Sequence, residues 1–504
     1  MISAIAEPPM EPLQQALVQL CSPTGLALVL LGTALGIFVG AIPGLTGTML
    51  IALTLPLTYG ADPQYAMTLL ISIYVGAISG GMITATLLRM PGTPASIMTT
   101  LDGYPLAKKG KPERALALGV MASFVGGMIS WGFLVLLAKP VAQLSTRFGP
   151  FEYFSLVLTA LVLIASIGGK SLSRSLLAGI LGILASMPGI AAATGQTRLT
   201  FGFTELNDGF QLLPVLIGLF AVNQIMRDIT SIKSTPEAIK LGERTHQWRW
   251  SDFTKHLTNM IRSSVIGTWI GLLPGIGANI GSVAAYSVAK STSKTPEKFG
   301  TGHEPGIVAA ESANNATVGG ALIPLIAMGL PGSVVEAILL GALVIHGLQP
   351  GPRLFSDSPD IVYTIMGAMF LANIVMLFIM SRSMRLLARL AEIPREYLMP
   401  VILTFCVIGS FALSNRLFDV WVMLAFGGLG FLLESWRIPL APFVIGFVLG
   451  PIAEENLSAG LMSTNGDWSP IVTRPISLIL VFFAVVLLVV PLVRGRRKSM
   501  EAAS

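Results

Sequence analysis

GIFVGAIPGLTGTML, residues 36–50, is apolar enough for a membrane helix yet carries Pro43-Gly44, then Thr46, Gly47 and Thr48. Proline removes a backbone donor and glycine destabilises a helix interior, so the pair interrupts a helix where hydrocarbon offers the freed groups no other partner. The segment recurs. In GTWIGLLPGIGA (267–278), Gly267, Gly271, Pro274 and Gly275 align without a gap on Gly36, Gly40, Pro43 and Gly44. A second pair follows in the same order, AISGGMITATLLRMPGTP (77–94) and ATVGGALIPLIAMGLPGS (316–333), with one residue of shift between GG and PG. Interrupted motifs repeated in one order indicate an internal duplication.

Composition sets the solvent. Of 504 residues 53% are hydrophobic and 12% charged, and the mean hydropathy is +0.75, too apolar for a soluble domain. Windows such as 155–169 and 476–493, with their flanks, approach the roughly 20 apolar residues of a spanning helix, and strict alternation, the mark of a barrel, is missing. The net charge of +6 sits in short clusters between apolar segments, which sets topology and argues against nucleic acid. Cys21 and Cys406 imply no disulfide framework, and the N-terminal MISAIAEPPMEPLQQ has no basic region of a cleaved signal.

Charge also orients the copies. After the first PG helix, copy one has YGADPQ (59–64) without Lys or Arg, while copy two has AKSTSKTPEKFG (289–300). After the second PG region the contrast reverses, with AKKGKPER (107–114) against HGLQPGPRLFSDSPD (346–360). The positive-inside rule places corresponding loops on opposite sides, so the repeats are expected to be inverted. Copy two has basic residues on both flanks of about 28 residues, too few for two spans of about 20 each, so this segment is expected to turn back as a re-entrant hairpin. The expected fold is an all-α polytopic membrane protein of two inverted-topology repeats, each with a re-entrant PG hairpin, a broken helix and four further spans, plus a last C-terminal helix. The first repeat covers 1–228 (hairpin 24–60, broken crossing 64–107, spans 113–228), and 229–260 is a cytoplasmic linker. The second covers 261–453 (hairpin 261–290, broken crossing 304–346, spans 360–453), and 454–504 holds the last helix and a basic cytoplasmic tail.

Interrupted apolar segments at matching places in two inverted halves point to a transporter's central site, where helix N-termini favour an anion and free carbonyls a cation. The candidate substrate- or ion-binding residues are therefore Pro43, Gly44, Thr46, Gly47, Thr48, Ser79, Gly92, Thr93, Ser96, Gly275, Asn279, Asn314, Asn315, Gly332 and Ser333, with Na+ near Thr46 and Asn279 as one reading. The intramembrane charges are Arg89, Asp102, Glu311 and Glu336. Arg89 either meets a substrate carboxylate or snorkels to the interface, and Glu311 either binds a coupling cation or holds the broken helix. Catalytic signatures fail: IASIGGKS (164–171) lacks the first glycine of a P-loop, and HExxH and GxSxG are absent. No enzyme activity, catalytic residue or cofactor is expected.

GAIPGLTG, the run SGGMITATLLRMPGTPASIMTTLDGYPLAKKGKPERALALG (79–119), IGLLPGIGANIGSVAAYSVAKSTSK and GIVAAESANNATVGGALIPLIAMGLPGSVVEAILLGALVIHGLQPGP together resemble the large membrane subunit of tripartite tricarboxylate transporters, the TctA family. The resemblance implies a multi-pass permease of the bacterial inner membrane that works with a small four-helix TctB-like membrane subunit and a periplasmic TctC-like solute-binding protein. It implies uptake of a carboxylate driven by Na+ or H+ as coupling ion. The rival is a stand-alone carrier or channel for another small solute, which would share the repeats and need no binding protein.

Overall fold

The structure is a computed structural model that describes residues 11–42, 45–167, 171–191, 194–230, 239, 250–273, 277–390, 395–412 and 414–501. The chain opens with α1 (Pro12–Leu20) and α2 (Pro23–Gly40). Ser22 accepts from Gly25 N at 3.0 Å, and Pro23 stands where a missing N–H leaves nothing unbonded. Beyond the first interruption α3 (Gly47–Thr54) starts from Thr46, whose Oγ1 accepts from Met49 N at 3.2 Å. Asp62 caps α4 (Pro63–Leu87), and α5 (Thr99–Lys108) follows a 3-10 turn at Pro94–Ile97. Then come α6 (Pro112–Ser145), α7 (Pro150–Ile167) and α8 (Leu172–Ser186). An antiparallel pair, β1 (Gly189–Ile190) and β2 (Thr197–Arg198), leads to α9 (Leu212–Ile217) and α10 (Asn223–Thr230), joined by a π-helical turn at Gly218–Val222.

The same order returns as α11 (Trp250–Leu272), α12 (Gly277–Ser291), α13 (Glu304–Met328) and α14 (Val334–Ile345), then a short α15 (Pro352–Asp357). Long helices follow: α16 (Pro359–Leu390), α17 (Arg395–Ala412), α18 (Leu417–Ser435) and α19 (Leu440–Ser463). The described residues end with α20 (Pro470–Thr473) and α21 (Pro475–Glu501). Element lengths repeat with the order, since α4 and α13 each have 25 residues and α7 and α17 each 18. Among the described residues seven helices are long and apolar enough to cross a membrane: α2, α4, α6, α9 with α10, α16, α18 and α19. The strand pair and α1 are elements that hydropathy did not announce.

Packing follows glycine spacing. α2 lies along α4 and α11 along α13 at matching positions. A Cβ on Gly36 would fall 2.3 Å from the carbonyl oxygen of Ile73, and one on Gly267 2.4 Å from that of Ala313. Only a bare Cα lets the backbones approach so closely, the small-residue packing common between membrane helices. The halves then interlock, because α13 lies on α6 and α4 on α16.

Polar contacts sort the loops into two groups. Gln64 Nε2 donates to Asp360 Oδ2 at 2.6 Å, which joins the starts of α4 and α16, and Thr58 Oγ1, in the 3-10 turn after α3, meets His346 Nε2 at the end of α14 at 3.1 Å. In the other group Lys109 Nζ donates to the Thr301 carbonyl at 2.6 Å, and Arg114 pairs with Asp252 at 2.6 Å and Glu304 at 2.9 Å. Arg262 Nη1 donates to Thr292 Oγ1 at 2.6 Å, which brings the far end of α12 back beside the middle of α11.

Candidate functional site

Each long helix α4 and α13 stops just before its Pro-Gly, and both stop in the same way. Arg89, with φ 57°, and Gly329, with φ 71°, hold the left-handed conformation two residues before Pro91 and Pro331. That turn ends a helix by bonding its last carbonyls; Gly329 N donates to Leu325 O at 3.1 Å. The glycine accepts this conformation freely, whereas Arg89 adopts it against its own Cβ. Arg89 is exposed and its guanidinium lies 5.8 Å from the centre of the Tyr104 ring.

The break and the hairpin of each half meet. A Cβ at Gly92 would lie 2.2 Å from the Gly40 carbonyl oxygen at the end of α2, and one at Gly332 3.2 Å from that of Gly271 near the end of α11. Gly47 abuts Ala77 of α4, and Gly277, the first residue of α12, abuts Ser333. Thr46 and Thr48 are half-buried beside this contact, and Thr46 spends its oxygen on the cap of α3. Thr93 and Ser96 are buried and face each other: Ser96 Oγ donates to Thr93 O at 2.8 Å, and Thr93 N points back at Ser96 Oγ at 3.3 Å. Ser333 caps α14 by accepting from Val335 N at 3.2 Å. Pro43, Gly44 and Gly275 lie outside the described residues, as does the side chain of Asn279.

Between the halves runs a buried polar chain. Ser79 Oγ on α4 donates to Asn315 Oδ1 on α13 at 2.6 Å, and Asn315 Nδ2 donates to the Glu311 main-chain oxygen at 3.2 Å. The fully buried Glu311 carboxylate accepts from Thr99 on α5, from Ser123 on α6 at 3.4 Å and from Asn314 at 3.3 Å. The amide oxygen of Asn314 is buried without a hydrogen-bond partner among the described residues. Oxygen atoms from three helices around one carboxylate suit a hard cation, with no thiol or imidazole beside them among the described residues. Of the residues singled out in the sequence, the structure brings together Glu311, Asn314, Asn315 and Ser79. Thr99 and Ser123 were missed, since nothing in their local pattern marks them and their partner lies about 190–210 positions away.

Asp102, the third intramembrane charge, is occupied otherwise. Its Oδ1 accepts from the N–H groups of Gly300, Gly302 and His303 at 2.7–3.0 Å, and its Oδ2 from Tyr286 OH at 2.7 Å. That arrangement ties the loop before α13 to α5 and α12, and burial beside it lowers the basicity of the His303 ring.

A bundle whose described residues hold seven apolar helices of crossing length, almost no strand and polar groups buried at helix breaks is an all-α polytopic membrane protein. The chain belongs to the tripartite tricarboxylate transporter TctA family, which it matches over residues 26–445. It is 34% identical over 480 residues to an uncharacterized 52.8 kDa protein in the TAR-I ttuC' 3' region of Agrobacterium vitis, covering 94% of this chain and 95% of that one. An uncharacterized protein in the TAR-II ttuC' 3' region of the same organism is 35% identical over 234 residues, 46% of this chain and 97% of the relative. No solved structure matches.

Proposed function

We propose that this chain is the large permease subunit of a binding-protein-dependent secondary transporter of the bacterial inner membrane, importing a tricarboxylate or similar organic anion down a Na+ or H+ gradient. The observation that carries the reading is the joint of the two interrupted helices. α4 and α13, of equal length, meet through Ser79 and Asn315, and beside them lie the two Pro-Gly breaks and the described arms of the hairpins. Breaks of this kind survive in hydrocarbon only against protein or a polar cavity, and matched breaks in inverted halves are where transporters hold their cargo. The grouping of loops supports inversion: the start of α4 shares one set of contacts with the end of α14, and the start of α13 shares the other with the end of α5. The contact between Arg262 and Thr292 supports a hairpin that returns to the side it left.

In this reading the positive N-terminal ends of α3 and α14 attract the carboxylate, Glu311 and its oxygen neighbours hold the coupling cation, and rocking of this unit exposes it to either side in turn. A TctC-like binding protein delivers substrate and a TctB-like subunit completes the membrane complex. The test is uptake of a panel of radiolabelled di- and tricarboxylates by cells that carry this chain and the small subunit, with and without the binding protein. Uptake that needs the binding protein is expected. Robust high-affinity uptake without it would favour the stand-alone carrier.

A further inference from the structure

The fourth intramembrane charge has no place in that mechanism. Glu336 stands in the first turn of α14, directly after the Pro331-Gly332 break, and is fully buried. Its Oε1 accepts from the hydroxyl of Tyr74 on α4, and its Oε2 is buried with no hydrogen-bond partner among the described residues. The polar groups around it are the side chains of Tyr74 and Ser333 and the main-chain N–H groups of Ser333 and Glu336, and among the described residues no cation joins them. Glu311 differs, since side chains donate to both of its carboxylate oxygens. A buried carboxylate with one oxygen left unpartnered and no counter-ion among the described residues is strongly disfavoured, and a proton on the orphaned oxygen removes the charge. Four side-chain oxygens, one of them already capping α14, are fewer than the roughly six or more that a hard metal cation takes.

We infer that Glu336 is a proton-binding site of this chain: its Oε2 holds a proton while α14 is packed on α4, and gives it up when that contact opens. This rests on the transport reading in one respect, that the proton then couples to cargo. The site is placed to release as well as hold. Glu336 faces the positive end of α14, which favours the ionised form once water arrives, and Tyr74 connects it to the stretch of α4 that backs Gly47. The titratable groups on the elements packed against α14 leave this balance to the pair. On α4 they are Tyr74 and, at its N-terminal end, Tyr65; α3 and α9 bring none. On α13 Glu304 is bound to Arg114 and Glu311 to its own donors, while on α19 Glu454 is in a bidentate pair with Arg198 and Glu455 is its neighbour in sequence. His346 closes the other end of α14 against Thr58.

Infrared spectra of the purified full-length protein in lipid nanodiscs at neutral pH test this without any substrate. The wild type should show a protonated-carboxyl carbonyl band that shifts down in D2O, and Glu336→Gln should lose it while Glu311→Gln keeps it. Tyr74→Phe should move the band without removing it. A band unchanged by Glu336→Gln, or one that D2O never shifts, would overturn the site. For coupling, uptake by the three-component system of any carboxylate the wild type accumulates should respond to an imposed pH gradient. Glu336→Gln should abolish that response and retain substrate exchange, and a Glu336→Gln response equal to wild type refutes coupling. Because the band is read in the absence of cargo, failure of the transport reading would leave a distinct signature: an exchangeable Glu336 proton in a protein that takes up nothing.

Discussion

Two buried carboxylates show how partners decide what a residue does. Asp102 receives four donors, three of them N–H groups of one loop, and therefore acts as a clamp. Asp102→Asn would keep an oxygen toward those N–H groups but remove the charge and set an amide donor against the Tyr286 hydroxyl, which should destabilise the protein by about 2 kcal/mol, the scale for weakening a buried charged hydrogen-bond set. Thermal unfolding in detergent would read this as a lowered midpoint; an unchanged midpoint would mean that the loop is held by other contacts. Glu311 instead gathers hydroxyls and amides from both halves. Glu311→Gln keeps its volume and removes its charge, so uptake should fall on the order of tenfold or more while the protein still inserts. Uptake at the wild-type rate would reduce Glu311 to a packing group.

Helix pairs were the most legible feature of the sequence, because glycine spacing and Pro-Gly breaks report backbone geometry directly. Gly36, Gly40, Gly267 and Gly271 align as a repeat in the sequence, and all four stand against a carbonyl of the neighbouring helix. The environment of Glu336 and the donors Thr99 and Ser123 were not legible, since a hydroxyl gains its role from a helix far away in sequence. The energetics of the glycines have a sign that can be tested. Gly36→Ala and Gly267→Ala would drive a Cβ to within 2.4 Å of main-chain oxygen and should cost about 3 kcal/mol or more. Gly132→Ala, in α6 where nothing lies within 4 Å of the new atom, should be neutral or stabilising by about 0.5–1 kcal/mol. Equal effects at the three positions in a detergent melt would show that helix propensity, and not close approach, governs these sites.

At the scale of the whole chain, the arrangement stands or falls on sidedness. Loops 59–64 and 346–360 are poor in Lys and Arg and touch each other through Gln64 with Asp360 and Thr58 with His346. Loops 107–114 and 289–304 are rich in them and touch through Lys109 with Thr301 and Arg114 with Glu304. Charge and contact are independent observations, and they sort the same loops into the same two groups. If the groups lie on opposite faces of the membrane, α4 and α13 run in opposite directions through it and the two halves are inverted. Single cysteines at Gln64 and Asp357 should then react with an impermeant maleimide from the periplasm, and those at Lys109 and Lys294 only after the inner membrane is opened. Lys294 lies in the loop that matches the stretch before Gln64 in the first half, so this pair decides the question. Equal sidedness for the two would make the repeats parallel, and the Pro-Gly tips would then enter from one side and could not serve as opposed gates around a shared site.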